Sequence, residues 1–148
     1  MIKRLFTCLL IALPAMLSAQ ITPGIYRLDY RYKEDLKWTI GEFSIEILKR
    51  NGTVEYMSLD EEGSCLIYES KSRWEYKDHF LSYRILKERF RDNCEDEFTI
   101  TPSDGSEEVY EIIVIRKKYF IGQSQEDENL FMRWVSLDKN PIDESDLK

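Results

Sequence analysis

Residues 42–59 read EFSIEILKRNGTVEYMSL, and the fold turns on how they are paired. Phe43, Ile45 and Ile47 recur at every second position, the period of a strand with one buried face, and the run leads into Asn51-Gly52. Asn-Gly tolerates positive φ at both central positions of a type I′ turn, so residues 42–50 and 53–59 are predicted to form a hairpin. Pairing Arg50 with Thr53 sets Ile47 opposite Tyr56 and Lys49 opposite Val54. Apolar residues of both strands then share a face.

The same period extends in both directions. Tyr26, Leu28, Tyr30 and Tyr32 lie on one face of an N-terminal strand, and Arg27, Asp29, Arg31 and Lys33 on the other. Leu66, Tyr68, Trp74 and Tyr76 mark a long amphipathic strand. After a tight connection at Lys77-Asp78-His79, Leu81, Tyr83 and Ile85 mark the next. Phe98 and Ile100 form a short strand ended by the turn chemistry of Pro102-Ser103-Asp104-Gly105. Residues 109–115, 119–122 and 130–137 supply the last three. Helical periodicity is missing throughout, so the mature chain reads as all-β. About nine short strands with turns roughly every ten residues predict an antiparallel meander closed into a barrel of about eight to nine strands, because closure removes exposed edges. An immunoglobulin-type sandwich is the rival, with Trp74 between two cysteines. Only 29 positions separate Cys65 from Cys94, however, too few for two facing sheets.

If every strand reverses direction, the loops at 33–41, 60–64, 88–96 and 116–118 share one end of the barrel. The turns at 51–52, 77–79, 102–107 and 124–128 share the other. Cys65 and Cys94 fall together at the first end, within reach of a disulfide.

The first 19 residues set the compartment. Lys3 and Arg4 precede an apolar run from Leu5 to Leu17, broken by Pro14, and Leu17-Ser18-Ala19 forms a small-residue exit before Gln20. This is the pattern of a secretory signal peptide, and the run is too short for a membrane span. Cleavage would discard Cys8 and leave Cys65 and Cys94 as an even pair in an oxidising environment, where one disulfide is the simplest outcome. Closing that loop stabilises the fold by roughly 3 to 4 kcal/mol in the chain-entropy treatment. Losing Lys3 and Arg4 from 21 basic residues leaves 19 against 28 acidic ones, a net charge of −9. Nucleic acid and anionic membrane surfaces are not expected as partners on that balance. Residues 20–137 are expected to form one domain, and 138–148 a flexible acidic tail. The protein is expected to be secreted or periplasmic, with no transmembrane segment in the mature chain.

The first strand opens Gly24-Ile25-Tyr26 and the last carries Phe131-Met132-Arg133-Trp134. With the meander between them, these resemble the lipocalin or calycin pattern, more closely the small secreted bacterial proteins called lipocalin-like. The resemblance spans roughly residues 23–137. It implies a barrel that holds a small ligand, a mouth at the end carrying the long first loop, and packing of an aromatic residue after Gly24 against Arg133. Here Tyr26 stands in the place of the family's Trp and still offers a π-face to a guanidinium.

Candidate chemistry is sparse. His79 is the one histidine, in a turn beside Asp78 without a nucleophile signature. The acidic runs 60–62, 95–97 and 126–128 lack the alternating ligand spacing and turn glycine of a calcium loop, so no metal or cofactor is expected. Asn51-Gly52-Thr53 matches a glycosylation acceptor, although the turn already accounts for all three residues. Inward tyrosines suit either a filled core or a cavity with polar anchors. For the cavity, Tyr26, Tyr30, Trp38, Tyr68 and Tyr83 are the candidate ligand-binding residues. Lys33, Lys37, Arg89, Arg91 and residues 116–118 would put positive charge at the mouth and favour an anionic head group. The expectation is a non-catalytic protein that binds a small apolar or amphipathic molecule. The alternative is a protein-interaction module, such as an inhibitor, immunity or envelope assembly factor, with a filled interior.

Overall fold

The computed structural model describes residues 20–142. The signal-like segment and residues 143–148 lie outside the described residues. Nine strands follow in order: β1 Gly24–Tyr32, β2 Ser44–Leu48, β3 Thr53–Leu59, β4 Leu66–Lys77, β5 Phe80–Phe90, β6 Thr99–Pro102, β7 Glu107–Ile115, β8 Tyr119–Ser124 and β9 Leu130–Leu137. All pairings are antiparallel. They run β1-β2-β3-β4-β5-β7-β8-β9 and back to β1, which closes an eight-stranded barrel, while β6 adds to the far end of β5. The barrel and its strand count agree with the alternation in the sequence.

Two local readings are corrected. In the β2–β3 hairpin Leu48 faces Val54, Glu46 faces Tyr56 and Ile45 faces Met57, one residue away from the expected register. The Lys49 N–H donates to the Thr53 carbonyl at 2.8 Å and the Gly52 N–H to the Lys49 carbonyl at 3.1 Å. Gly52 alone in this loop has positive φ, +83°, so Arg50-Asn51-Gly52 is a three-residue loop closed by a left-handed glycine rather than a type I′ turn. The Asn51 side chain is engaged too, accepting from the Thr53 N–H at 3.0 Å. A one-residue slip turns every side chain over. Glu46 and Leu48 therefore point into the barrel, and Ile45 and Ile47 point out.

The second correction concerns residues 102–107. Lys87 pairs with Pro102 and Arg84 with Glu107, so β6 and β7 descend the same side of β5 in one direction. Residues 103–106 bulge from this path without reversing it. Ile85 anchors the bulge on both sides, donating its N–H to Ser106 and accepting from the Ser103 hydroxyl. Every later loop consequently changes ends. The 125–129 loop joins the rim formed by 33–43, 60–65 and 91–98, as the Lys33 N–H to Asn129 carbonyl bond at 2.7 Å shows. Residues 116–118 sit at the base with the hairpin loop and the 78–79 turn. Both cysteines precede the bulge, so their expected placement stands: Cys65 and Cys94 form a disulfide at the rim with Cα atoms 5.8 Å apart.

Apolar residues pack on both sides of the wall. Inside, Ile21, Tyr26, Leu48, Leu81, Phe120 and Trp134 fill the base half. Trp134 stacks on Phe120 at 4.8 Å and lies over Gly122, where a Cβ would come within 3.2 Å of the indole. Outside the β1–β3 wall, Ile45, Met57, Leu59, Leu66 and Ile142 form a second cluster, backed by Phe43 and Phe98. Ile142 is 6% exposed, so the described start of the acidic tail is docked against the barrel rather than free.

Candidate functional site

Above the aromatic plug the barrel is hollow. The cavity measures about 380 Å³ and takes its lining from seven of the eight barrel strands, all but β8. Leu28, Met132 and Trp134 form its floor, and Tyr56, Tyr68, Tyr83 and Tyr110 its walls. The polar contribution comes from Ser70, Ser72, Glu46 and Glu108. It is a cup, closed toward the base by the plug, and every residue that lines it lies on a strand.

Glu46 is the most constrained group. It is 6% exposed, and its Oε1 accepts from the Trp134 indole N–H at 2.9 Å and from the Tyr83 hydroxyl. Burial raises its pKa to about 7; the two donors pull it down, and the Glu108 charge adds to the rise. Glu108 is also raised, first by burial and then by the charges of Glu126 and Glu88, against the lowering effect of Tyr110. The Tyr68 hydroxyl donates to Glu88 at 2.6 Å, and burial with that carboxylate pushes the phenol upward. Tyr83 and Tyr110 are raised chiefly by burial and next by their neighbouring glutamates.

Of the expected binding residues, Tyr68 and Tyr83 line the cup. Tyr26 lies below it in the plug, its hydroxyl donating to the Thr22 carbonyl. Tyr30 stands 41% exposed toward the rim against Tyr32. Trp38 is not in the lining. It covers the outer wall, with the Arg133 guanidinium 4.5 Å and the Arg31 guanidinium 5.2 Å from its ring. The packing of Tyr26 on Arg133 is likewise absent, because consecutive registers send Tyr26 inward and Arg133 outward onto Asp29 at 2.7 Å. Nor is the basic cluster at the mouth assembled. Arg116, Lys117 and Lys118 are at the base, and Arg89 and Arg91 both lie 4.4 Å over Phe98 on the outer face. Gly24 opens β1, where its added Cβ would meet only the Tyr26 ring.

The sequence reading missed Glu46, Glu108, Tyr110, Ser70, Ser72 and Trp134. Glu46 carried a signal, an acid set among Ile45, Ile47 and Leu48, but the shifted register turned it toward solvent.

The solved structure of an uncharacterized protein from Bacteroides eggerthii is similar to this chain, with a TM-score of 0.53 and 12% identity over 78% of this chain and 98% of that one. That degree of likeness establishes a shared fold. No family model and no curated protein sequence matches the chain. Among the described residues no helix is long and apolar enough to cross a membrane.

Proposed function

We propose that this chain is a secreted or periplasmic, lipocalin-like carrier that holds a small amphipathic molecule in the cup without transforming it. The observation that carries this reading is the cavity of about 380 Å³, a size typical of ligand pockets, with aromatic walls and few polar groups. The disulfide supports an oxidising compartment. Titration with the neutral fluorescent probe N-phenyl-1-naphthylamine tests it. Wild type should give saturable enhancement at one site. Ser72→Phe, which fills the cup from β4, should abolish it while the near-ultraviolet circular dichroism of the fold persists. No enhancement in wild type, or the same enhancement in the filled variant, overturns the reading.

The interaction-module alternative draws on one feature, the short β6 beside the rim, where Ile100 is 60% exposed. A protein recovered in stoichiometric complex by native mass spectrometry from the host, with an empty cup, would favour it.

A further inference from the structure

The cup's hydrogen-bonding groups are unevenly committed. Its phenol donors are spent inside the wall: Tyr83 on Glu46, Tyr68 on Glu88, Tyr56 on the Ser44 hydroxyl at 3.3 Å, and Tyr110 toward Glu108 at 3.4 Å. The Trp134 N–H is spent on Glu46 as well. Acceptor capacity remains. Both donors to Glu46 fall on Oε1, and its Oε2 receives no donor among the described residues although the side chain is almost wholly buried and lines the cavity. A carboxylate offers about four lone-pair sites, so half or more of this one's are open.

The charges are equally one-sided. Glu46 and Glu108 line the cavity and no lysine, arginine or histidine does. Arg27 on β1 and Arg133 on β9 are bound to Asp29 on the other side of the wall. Around the carboxylates stand the rings of Tyr56, Tyr83, Tyr110 and Trp134, whose negative π-faces attract cations and repel anions. A ligand that is both apolar and a charged N–H donor satisfies all three asymmetries.

Resting on the carrier reading, we propose that the cup selects protonated amines: a primary or secondary ammonium seated against Glu46 Oε2, with Glu108 above it and an aromatic or aliphatic body against the tyrosine walls. This reverses the preference for an anionic head group expected from the scattered basic residues.

Three indoles differing only in the head group test the selection by calorimetry: tryptamine, tryptophol and indole-3-propionate. At about pH 8 the amine stays protonated while Glu46, raised to about 7, is ionised. Tryptamine should bind about tenfold or more tighter than tryptophol, and indole-3-propionate weakest. Glu46→Gln should erase the advantage, bringing tryptamine to the affinity of tryptophol and leaving tryptophol within about twofold. Glu108→Gln, at the open side where packing is not at stake, should lower tryptamine affinity by about threefold and carries the test if Glu46→Gln does not fold. Equal binding of tryptophol or indole-3-propionate in wild type overturns the selection, as does a preference that survives both variants. If none of the three binds while N-phenyl-1-naphthylamine still enters, the selection falls and the carrier reading stands. If the probe also fails, the carrier reading itself falls.

Discussion

Asp29 and Glu46 are buried carboxylates on neighbouring strands of one wall, and they end in opposite electrostatic states. Asp29, 0% exposed on the outer side, receives Arg27 Nε at 2.9 Å, Arg133 Nη2 at 2.7 Å and the Gly41 N–H at 3.1 Å. Burial alone would raise its pKa, but the hydrogen bonds from two guanidinia and a backbone amide outweigh it and hold the carboxyl below the usual range. Gly41 is required for that approach, since a Cβ there would lie 1.7 Å from the Leu28 carbonyl oxygen. Glu46, on the inner side, has only neutral donors, and burial wins. Both carboxyls are shut off from solvent, but Glu46 is the more deeply enclosed, and its partners are neutral where those of Asp29 are charged. The outer carboxylate is neutralised by the fold and serves it; the inner one meets no cationic side chain among the described residues that line the cavity.

The largest break in this comparison comes from Asp29→Ala. Removing one partner of a buried charge cluster strands the others, here at about 3 kcal/mol, toward the lower end of the usual range because Arg27 and Arg133 keep some contact with water. Urea unfolding at neutral pH measures it. A loss below about 1 kcal/mol would mean that the outer cluster is ornamental and that the two carboxylates differ less than their surroundings imply.

Next in size is the opposite pH dependence of the two sites. Asp29 is held low when folded, so its stabilisation is present above its unfolded pKa of 3.8 and is lost as pH falls through the folded value. Glu46 is held high, so its contribution is complete below 4.5 and is lost as pH rises toward about 7. The ligand-free protein should therefore lose about 2 kcal/mol through Glu46 between about pH 5 and pH 7. Glu46→Gln keeps an acceptor for Tyr83 and Trp134 but does not titrate, so its unfolding free energy should lack that decline. A wild type and a variant with parallel profiles over this interval would place the charged form of Glu46 at no disadvantage in the cup.

Much of the barrel could be read from the sequence, and the failures have physical causes. Strand β5 buries one face, so Leu81 and Tyr83 announce the inside; Tyr26 and Leu28 do the same on β1, although its outer Asp29 is buried as well. The β2–β3 wall is apolar on both sides, because Phe98 and Ile142 cover Ile45 and Met57 from without while Leu48 and Val54 face in. Alternation cannot choose a face where both are buried, and Glu46 went the wrong way. Pro102-Ser103-Asp104-Gly105 has the composition of a reversal, yet the same residues build a bulge, and only pairing to β5 separates the two. Ile142 is one apolar residue in an acidic tail. No local pattern marks it, and its value lies in a surface formed by residues almost a hundred positions earlier.

Trp38 gives the smallest effect and the sharpest division between the two sides of the wall. Its ring covers Arg133 and Arg31 beside the Asp29 cluster, and it contributes nothing to the cavity lining. Trp38→Phe preserves an aromatic face there, so stability should fall by less than about 1 kcal/mol. Titration with N-phenyl-1-naphthylamine should give the wild-type affinity, because the cup and the indole are on opposite sides of β1. A weakening beyond about twofold would show that the 33–43 loop communicates with the cup, and the outer cluster would then tune the cup as well as hold the wall.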